Sequence, residues 1–323
     1  MIKRMLRLLA LFWAAFCSLN IYARFAVRRF EDLDPETAGV PGSFIDVDGV
    51  RVHYVEAGHG EAVVLIHGWN GSTFNYRHAI PELAQHFRVV ALDLKGYGYS
   101  ERPKHGEYTL ASQVELVRGL MDRLGVERVH VVGHSMGGDI AMRFAGKFPE
   151  RVQRLVLVAA ATDRDRRRAN RFAAFVRPML PMIAVLTLHR RGFRERALRS
   201  SVQDPAYVTP EVIEGAFRPM RMKGHQRAMG QQMVDHLRDE PFDPASLRLP
   251  TLILWGESDR WIPPAQGDEL ARKIPDARLV SVPAAGHLPL EEQPAFCNRE
   301  LLRFLLPAAP ELTPEPASQD AFA

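Results

Sequence analysis

Val129-His130-Val131-Val132-Gly133-His134-Ser135-Met136-Gly137-Gly138 is the stretch that decides how this chain is read. A strand-like run of three valines and a histidine leads into a glycine, a serine stands two positions later, and two more glycines follow before a helical pattern begins. A G-x-S-x-G between strand and helix is a nucleophile elbow: a turn so tight that its flanking side chains must be nearly absent. It lifts the serine hydroxyl above the carboxyl edge of a sheet. Ser135 is therefore the candidate nucleophile, and Met136, which opens the following helix, offers a backbone N–H to a developing oxyanion.

The flanking sequence supplies the sheet that such a turn needs. Short apolar runs at residues 62–67, 89–93, 129–133, 152–159, 251–256 and 279–282 read as buried strands. Residues 44–47 and 50–57 flank Asp48-Gly49, a two-residue hairpin signal. Helical spacing appears between the strands, in residues 79–87, 112–124, 137–147, 266–273 and 293–306. This alternation predicts an α/β fold with a mostly parallel central sheet and helices on both faces.

A serine hydroxyl needs a base to become a nucleophile, and the base needs an orienting acid. Behind an elbow of this kind the partners follow in the order serine, acid, histidine. His287 stands just past the strand-like residues 279–282, and Glu257, Asp259 and Asp268 follow residues 251–256. All lie beyond strand ends, at the edge where the serine points. The loop after residues 62–67 begins His67-Gly68-Trp69-Asn70-Gly71, and the Trp69 N–H is assigned as the second oxyanion donor.

With these pieces assembled, the chain resembles the α/β-hydrolase superfamily from about residue 44 to 306. The resemblance rests on HGW at 67–69, DLKGYGYS at 93–100, GHSMGG at 133–138, WGESDRWIP at 255–263 and GHLPLEEQP at 286–294. It implies a catalytic triad of Ser135, Asp259 and His287, choosing Asp259 over Glu257 and Asp268, and structural loop positions for Asp93 and Ser100. Esterases, lipases, carbon–carbon bond hydrolases and cofactor-free haloperoxidases share these motifs. Haloalkane dehalogenases and epoxide hydrolases of the fold carry aspartate at the elbow, where this chain has Ser135.

The expected chemistry is hydrolysis of a carboxylic ester of a small, lipophilic molecule through an acyl-enzyme. A carbon–carbon hydrolase or perhydrolase with the same triad is one alternative, and a non-catalytic binding protein on the same fold is another. No metal and no organic cofactor are expected. His53, His189, His225 and His236 are read as surface or packing residues without metal-ligand spacing, and His134 is given no role. Trp261 fits pocket lining and core packing equally.

Five segments organise the 323 residues: an N-terminal membrane or signal segment (1–30), the first part of the core (31–160), a helical cap insertion (161–249), the second part of the core (250–306) and a disordered tail (307–323). In the first, Lys3, Arg4 and Arg7 precede an apolar run at residues 8–23, which Arg24, Arg28 and Arg29 close. That pattern suits an uncleaved anchor better than a signal peptide, whose cleavage would leave the protein secreted or periplasmic.

The cap is rich in arginine, with Arg164, Arg166, Arg167, Arg168, Arg171, Arg177, Arg190, Arg191, Arg194, Arg196 and Arg199 crowding together. It also holds an apolar run at residues 172–188, and Pro178, Pro181, Pro205 and Pro210 break it into helices. The arginines are read as a solvated helical surface; with no nucleic-acid motif beside them, that partner is discounted. Oligomeric state is not readable.

Overall fold

The computed structural model describes residues 2–162 and 191–306. The expected apolar run at 172–188, Pro178, Pro181, His189, Arg164 through Arg190 of the arginine stripe, and the tail from 307 all lie outside these residues.

The strands are β1 (Ser43–Val47), β2 (Val50–Ala57), β3 (Ala62–Ile66), β4 (Arg88–Leu92), β5 (Val129–His134), β6 (Val152–Val158), β7 (Thr251–Gly256) and β8 (Ala277–Val282). They form one sheet among the described residues, in the order β1-β2-β4-β3-β5-β6-β7-β8. β1, β2 and β4 pair antiparallel, and from β4 onward every pairing is parallel. Asp48 and Gly49 turn the β1–β2 hairpin with φ of 52° and 78°, the left-handed pair that a two-residue hairpin asks for.

Helices are α1 (Ile2–Phe30), α2 (Ile80–Leu83), α3 (Leu110–Arg123), α4 (Met136–Lys147), α5 (Arg191–Ser201), α6 (Pro210–Phe217), α7 (His225–Asp235), α8 (Ala265–Lys273), α9 (Pro289–Glu292) and α10 (Pro294–Leu305). Both faces of the parallel strands are covered, which is why those strands read as continuous apolar runs. Val64, Val131, Leu155 and Ile253 pack with Val114, Ile140 and Leu270 of α3, α4 and α8. Val63, Leu65, Val132, Val156 and Leu254 pack on the other face with Leu83 and Leu301 of α2 and α10. Each such aliphatic side chain, fully buried, contributes about 1.5–3 kcal/mol.

The helix expected over residues 79–87 is shorter, spanning Ile80–Leu83. Gln85 and His86 donate to the carbonyls three residues back, at Glu82 and Leu83, so the segment tightens into turns. β4 then begins at Arg88, directly after Phe87, and pairs parallel with β3 in the same sheet.

Above the carboxyl edge of the sheet, α5, α6 and α7 form a layer with its own small core of Val202, Val208, Ile213, Phe217 and Met220. Thr209 caps α6 by accepting from the Val212 N–H, with Pro210 at the first helical position, where its missing N–H costs nothing. Asp235 and Asp239 accept from the Tyr108 and Leu110 N–H groups and so tie this layer to the start of α3.

α1 is one helix of 29 residues, about 43 Å at 1.5 Å per residue, long and apolar enough to cross a membrane by length and composition. The apolar run at 8–23 is thus only the middle of a longer helix. At its end Val27 is buried, Phe30 packs against the cap core, and the Glu31 carboxylate accepts from the Gly224 and Gln226 N–H groups at the start of α7.

Candidate active site

Ser135 sits between β5 and α4 with φ 53° and ψ −120°, a conformation that costs a residue with a side chain about 1–3 kcal/mol. Its backbone is held there from both sides. The Ser135 N–H donates to the Val158 carbonyl at 2.9 Å, and the Ser135 carbonyl accepts from Gly138 and Ala161, each at 2.9 Å. The glycines are required by close approach: a Cβ on Gly133 would lie 2.3 Å from the Gly137 carbonyl oxygen, and one on Gly137 2.1 Å from that of Ile66.

The loops after β7 and β8 bring two further side chains to the serine. His287 Nε2 lies 3.1 Å from Ser135 Oγ, and His287 Nδ1 lies 2.8 Å from Asp259 Oδ2. The other carboxylate oxygen, Oδ1, accepts from the N–H groups of Trp261 and Ile262 at 2.8 and 2.9 Å. An ionised Asp259 fixes the proton on Nδ1 and leaves Nε2 as the acceptor facing the serine. Both His287 and Asp259 are buried. Of the rival carboxylates, Glu257 accepts from Ser281 at the surface and Asp268 lies in the first turn of α8; neither bonds to His287.

Trp69 and Met136 also come to this point. Gly68 abuts the nucleophile elbow closely enough that a Cβ on it would lie 3.0 Å from Ser135 Cβ, which sets the Trp69 peptide beside the serine. Neither the Trp69 nor the Met136 N–H has a hydrogen-bond partner among the described residues. The loop is fixed by His67, whose Nδ1–H donates to the Gly68 carbonyl at 2.7 Å while its Nε2 accepts from the Leu94 N–H at 3.0 Å. Full burial pushes the His67 pKa down, which suits a neutral ring with one donor and one acceptor.

Sequence reasoning did not find the contacts that three neighbours make around His287, although it named Trp261 as a candidate for the pocket wall, where it stands. His134 donates from Nε2 to the His287 carbonyl at 2.8 Å, and burial pushes its pKa down to about 3, so it is neutral. Glu292 accepts from the N–H groups on either side of His287, Gly286 at 2.8 Å and Leu288 at 3.3 Å, and from Gln203 of the cap at 2.6 Å. Burial raises its pKa. Trp261 stacks on the His287 ring, with centroids 5.3 Å apart and 28° between planes. The string GHLPLEEQP contained Glu292, but nothing in it told which groups the carboxylate would meet.

Asp93 and Ser100, given structural places by the resemblance, are buried away from this site. Asp93 pairs with His53 at 2.7 Å and accepts from the Thr73 and Tyr99 N–H groups; Ser100 Oγ accepts from the His53 N–H and donates to the Asp93 carbonyl.

Over the serine lies a cavity of about 500 Å³. Its walls include Trp69 from the core and Phe193, Leu198, Phe217, Met220 and Met229 from the cap layer, with Ser135 and His287 at the floor. The lining is thus mostly apolar and aromatic, the usual make-up of a pocket for a small organic molecule.

A fold of this topology, carrying a serine, a histidine and a carboxylate in hydrogen-bonding sequence at its carboxyl edge, defines a class. Residues 61–294 match the family model described as the alpha/beta hydrolase fold, and the chain belongs to that family. It is 31% identical over 265 residues to the uncharacterized hydrolase YugF of Bacillus subtilis (strain 168), covering 80% of this chain and 96% of that one. To a 2-hydroxy-6-oxo-6-phenylhexa-2,4-dienoate hydrolase of Burkholderia cepacia it is 30% identical over 271 residues, covering 79% and 91%. Among solved structures, a meta-cleavage product hydrolase from Pseudomonas fluorescens IP01 superposes with a TM-score of 0.69 at 27% identity, covering 82% of this chain and 97% of that one.

Proposed function

We propose that the protein is a serine hydrolase that cleaves a carboxylic ester of a lipophilic substrate through an acyl-enzyme. The observation that carries this reading is the unbroken chain from Ser135 Oγ through His287 to Asp259, at 3.1 and 2.8 Å. His287 Nε2 takes the hydroxyl proton as Oγ attacks the ester carbonyl. The free N–H groups of Trp69 and Met136 meet the oxyanion, where a single such donor contributes about 3–4 kcal/mol. The imidazolium then returns its proton to the leaving alkoxide, giving the alcohol and an acyl-Ser135. A water, deprotonated by the same histidine, attacks the acyl carbonyl, and the proton passes back to Oγ as the acid leaves.

Lipophilicity is inferred from the cavity walls, and α1 supports an anchored enzyme working beside a bilayer. Hydrolysis of p-nitrophenyl esters from acetate to palmitate, by wild type and Ser135→Ala, tests the reading. Activity that vanishes in the variant supports it, and the optimum chain length sizes the pocket.

The relatives named for dienoate and meta-cleavage product hydrolysis favour a second reading, carbon–carbon bond hydrolysis by the same residues. Wild type inert on every ester but active on a ring-fission dienoate would select it.

A further inference from the structure

We propose that Trp261 acts through His287, its indole face stabilising the imidazolium that forms when Ser135 attacks and fixing the plane of that ring. The inference rests on His287 being the base.

The geometry is specific. Trp261 follows Asp259 by two residues, and its own N–H donates to Asp259 Oδ1 at 2.8 Å, so the acid that orients one edge of the imidazole also sets the backbone of the residue that covers its face. The rings are 5.3 Å apart and near parallel, within the distance at which a cation feels the quadrupole of an aromatic face, for which tryptophan is the best residue. The indole is not there as core: it is 50% exposed and lines the cavity. Its Nε1–H donates to Ser200 Oγ on α5 at 3.2 Å, which holds the ring against the histidine.

The other groups facing His287 leave this role open. Asp259 stabilises a positive ring along its edge, at Nδ1. His134, from the nucleophile elbow, also packs its ring on His287, with centroids 5.0 Å apart and a tilt of 52°, but it is neutral and its Nε2–H is spent on the His287 carbonyl. Glu292, on α9, is occupied by the N–H groups of Gly286, Leu288 and Gln203, and Ser201 of the cap accepts from the His287 N–H. Arg194 lines the same cavity, on the substrate side. Trp261 is the neighbour that stacks near-parallel on the ring.

Two physical effects of an indole in this place have opposite signs. As a cation–π partner it favours the charged ring, and its removal moves the acid limb of the kcat/KM profile to lower pH while the plateau falls. As a mere water shield it disfavours the charged ring, and its removal moves the limb to higher pH.

The test compares wild type, Trp261→Phe and Trp261→Leu in the full-length chain. The rate of Ser135 labelling by a fluorophosphonate is followed against pH, together with kcat/KM on the best ester. The expected order is Trp, Phe, Leu. For Leu the limb lies about half a pH unit lower and the plateau about three- to fivefold down, with Phe between. Should the Leu variant fail to fold, the Phe variant still has to move in the same direction. Ser200→Ala, which loosens the ring without removing its face, reproduces only a fraction of the plateau loss. A limb that rises or stays put in the Phe and Leu variants overturns the role of Trp261 while leaving Ser135 and His287 intact. Wild type that is neither labelled nor active on any ester overturns the function proposed above and this inference together.

Discussion

The molecule contains two histidine–aspartate pairs built almost alike, and they differ at one end. His287–Asp259 and His53–Asp93 are 2.8 and 2.7 Å long through Nδ1, and in each the carboxylate also accepts two backbone N–H groups. What separates them is the far nitrogen. His53 Nε2 is spent on the Pro41 carbonyl at 2.9 Å inside the protein, joining the segment before β1 to β2 and the loop after β4. His287 Nε2 faces Ser135 Oγ on the floor of a cavity. A charge-assisted pair is therefore no signature of catalysis by itself. The lesson is that the second nitrogen's neighbour assigns the role.

The sharpest way to break this comparison is to remove the charge from each aspartate. Asp259→Asn is expected to lower kcat by about 10⁴-fold, because the amide stabilises the wrong tautomer. Its urea midpoint should stay close to that of wild type. Asp93→Asn should do the reverse: about 3–5 kcal/mol of stability lost, since a buried partner is left uncompensated, with kcat of the folded fraction within threefold. A large kcat loss in Asp93→Asn without destabilisation would erase the distinction.

A smaller effect is expected in the pH dependence of stability. Burial opposes charge on both members of the inner pair, but their mutual hydrogen bond outweighs it, so His53 is held above its usual range and Asp93 below. A raised histidine pKa gives stability that is complete below the ordinary value near 6.5 and is lost as pH rises through the folded value. A lowered carboxyl pKa gives stability present above about 3.9 and lost as pH falls through the folded value. The unfolding free-energy difference between wild type and His53→Gln should therefore be larger at about pH 5.5 than at about pH 8.5. Equal differences at the two pH values would show that the pair does not hold a proton preferentially in the fold.

The smallest change concerns His134. Replacing it with Phe removes the donor to the His287 carbonyl, one hydrogen bond of about 1 kcal/mol, or roughly fivefold in kcat. With a pKa of about 3 the ring carries no charge in the working range, so the pH profile should keep its shape. A displaced acid limb in His134→Phe would mean that the ring senses, and influences, the protonation of its neighbour.

How much of this was readable beforehand follows from chemical range. The strands were legible because a parallel sheet covered on both faces demands unbroken apolar runs such as Ala62–Ile66. The serine was legible because the elbow imposes its glycines within two residues of it. Asp259 and His287 were legible as positions because both must follow strands. The helix over 79–87 was overcalled because its apolar spacing gave no sign that the chain had to turn at once into β4. The supporting contacts were not legible at all. His134 meets the His287 carbonyl across 153 positions, and His53 finds Asp93 across 40, and no local pattern records a through-space meeting. Trp261 was seen as a residue near the acid, but its stacking on the imidazole depends on where two loops converge.

The strand order has a consequence for how the protein is made. Beyond β3 the sheet grows in chain order along one edge, through β5, β6, β7 and β8, so the loop that bears His287 can be placed only after β7 and β8 have been synthesised. Ser135 precedes His287 by 152 residues. At about 5–20 residues per second, a ribosome needs roughly 8–30 s to cover that interval. During it the nascent chain already has α1 and the serine, but not the histidine that faces the hydroxyl in the finished fold. On the mechanism proposed above, a copy that ends before His287 cannot activate its serine, and hydrolytic competence arrives only with the loop after β8.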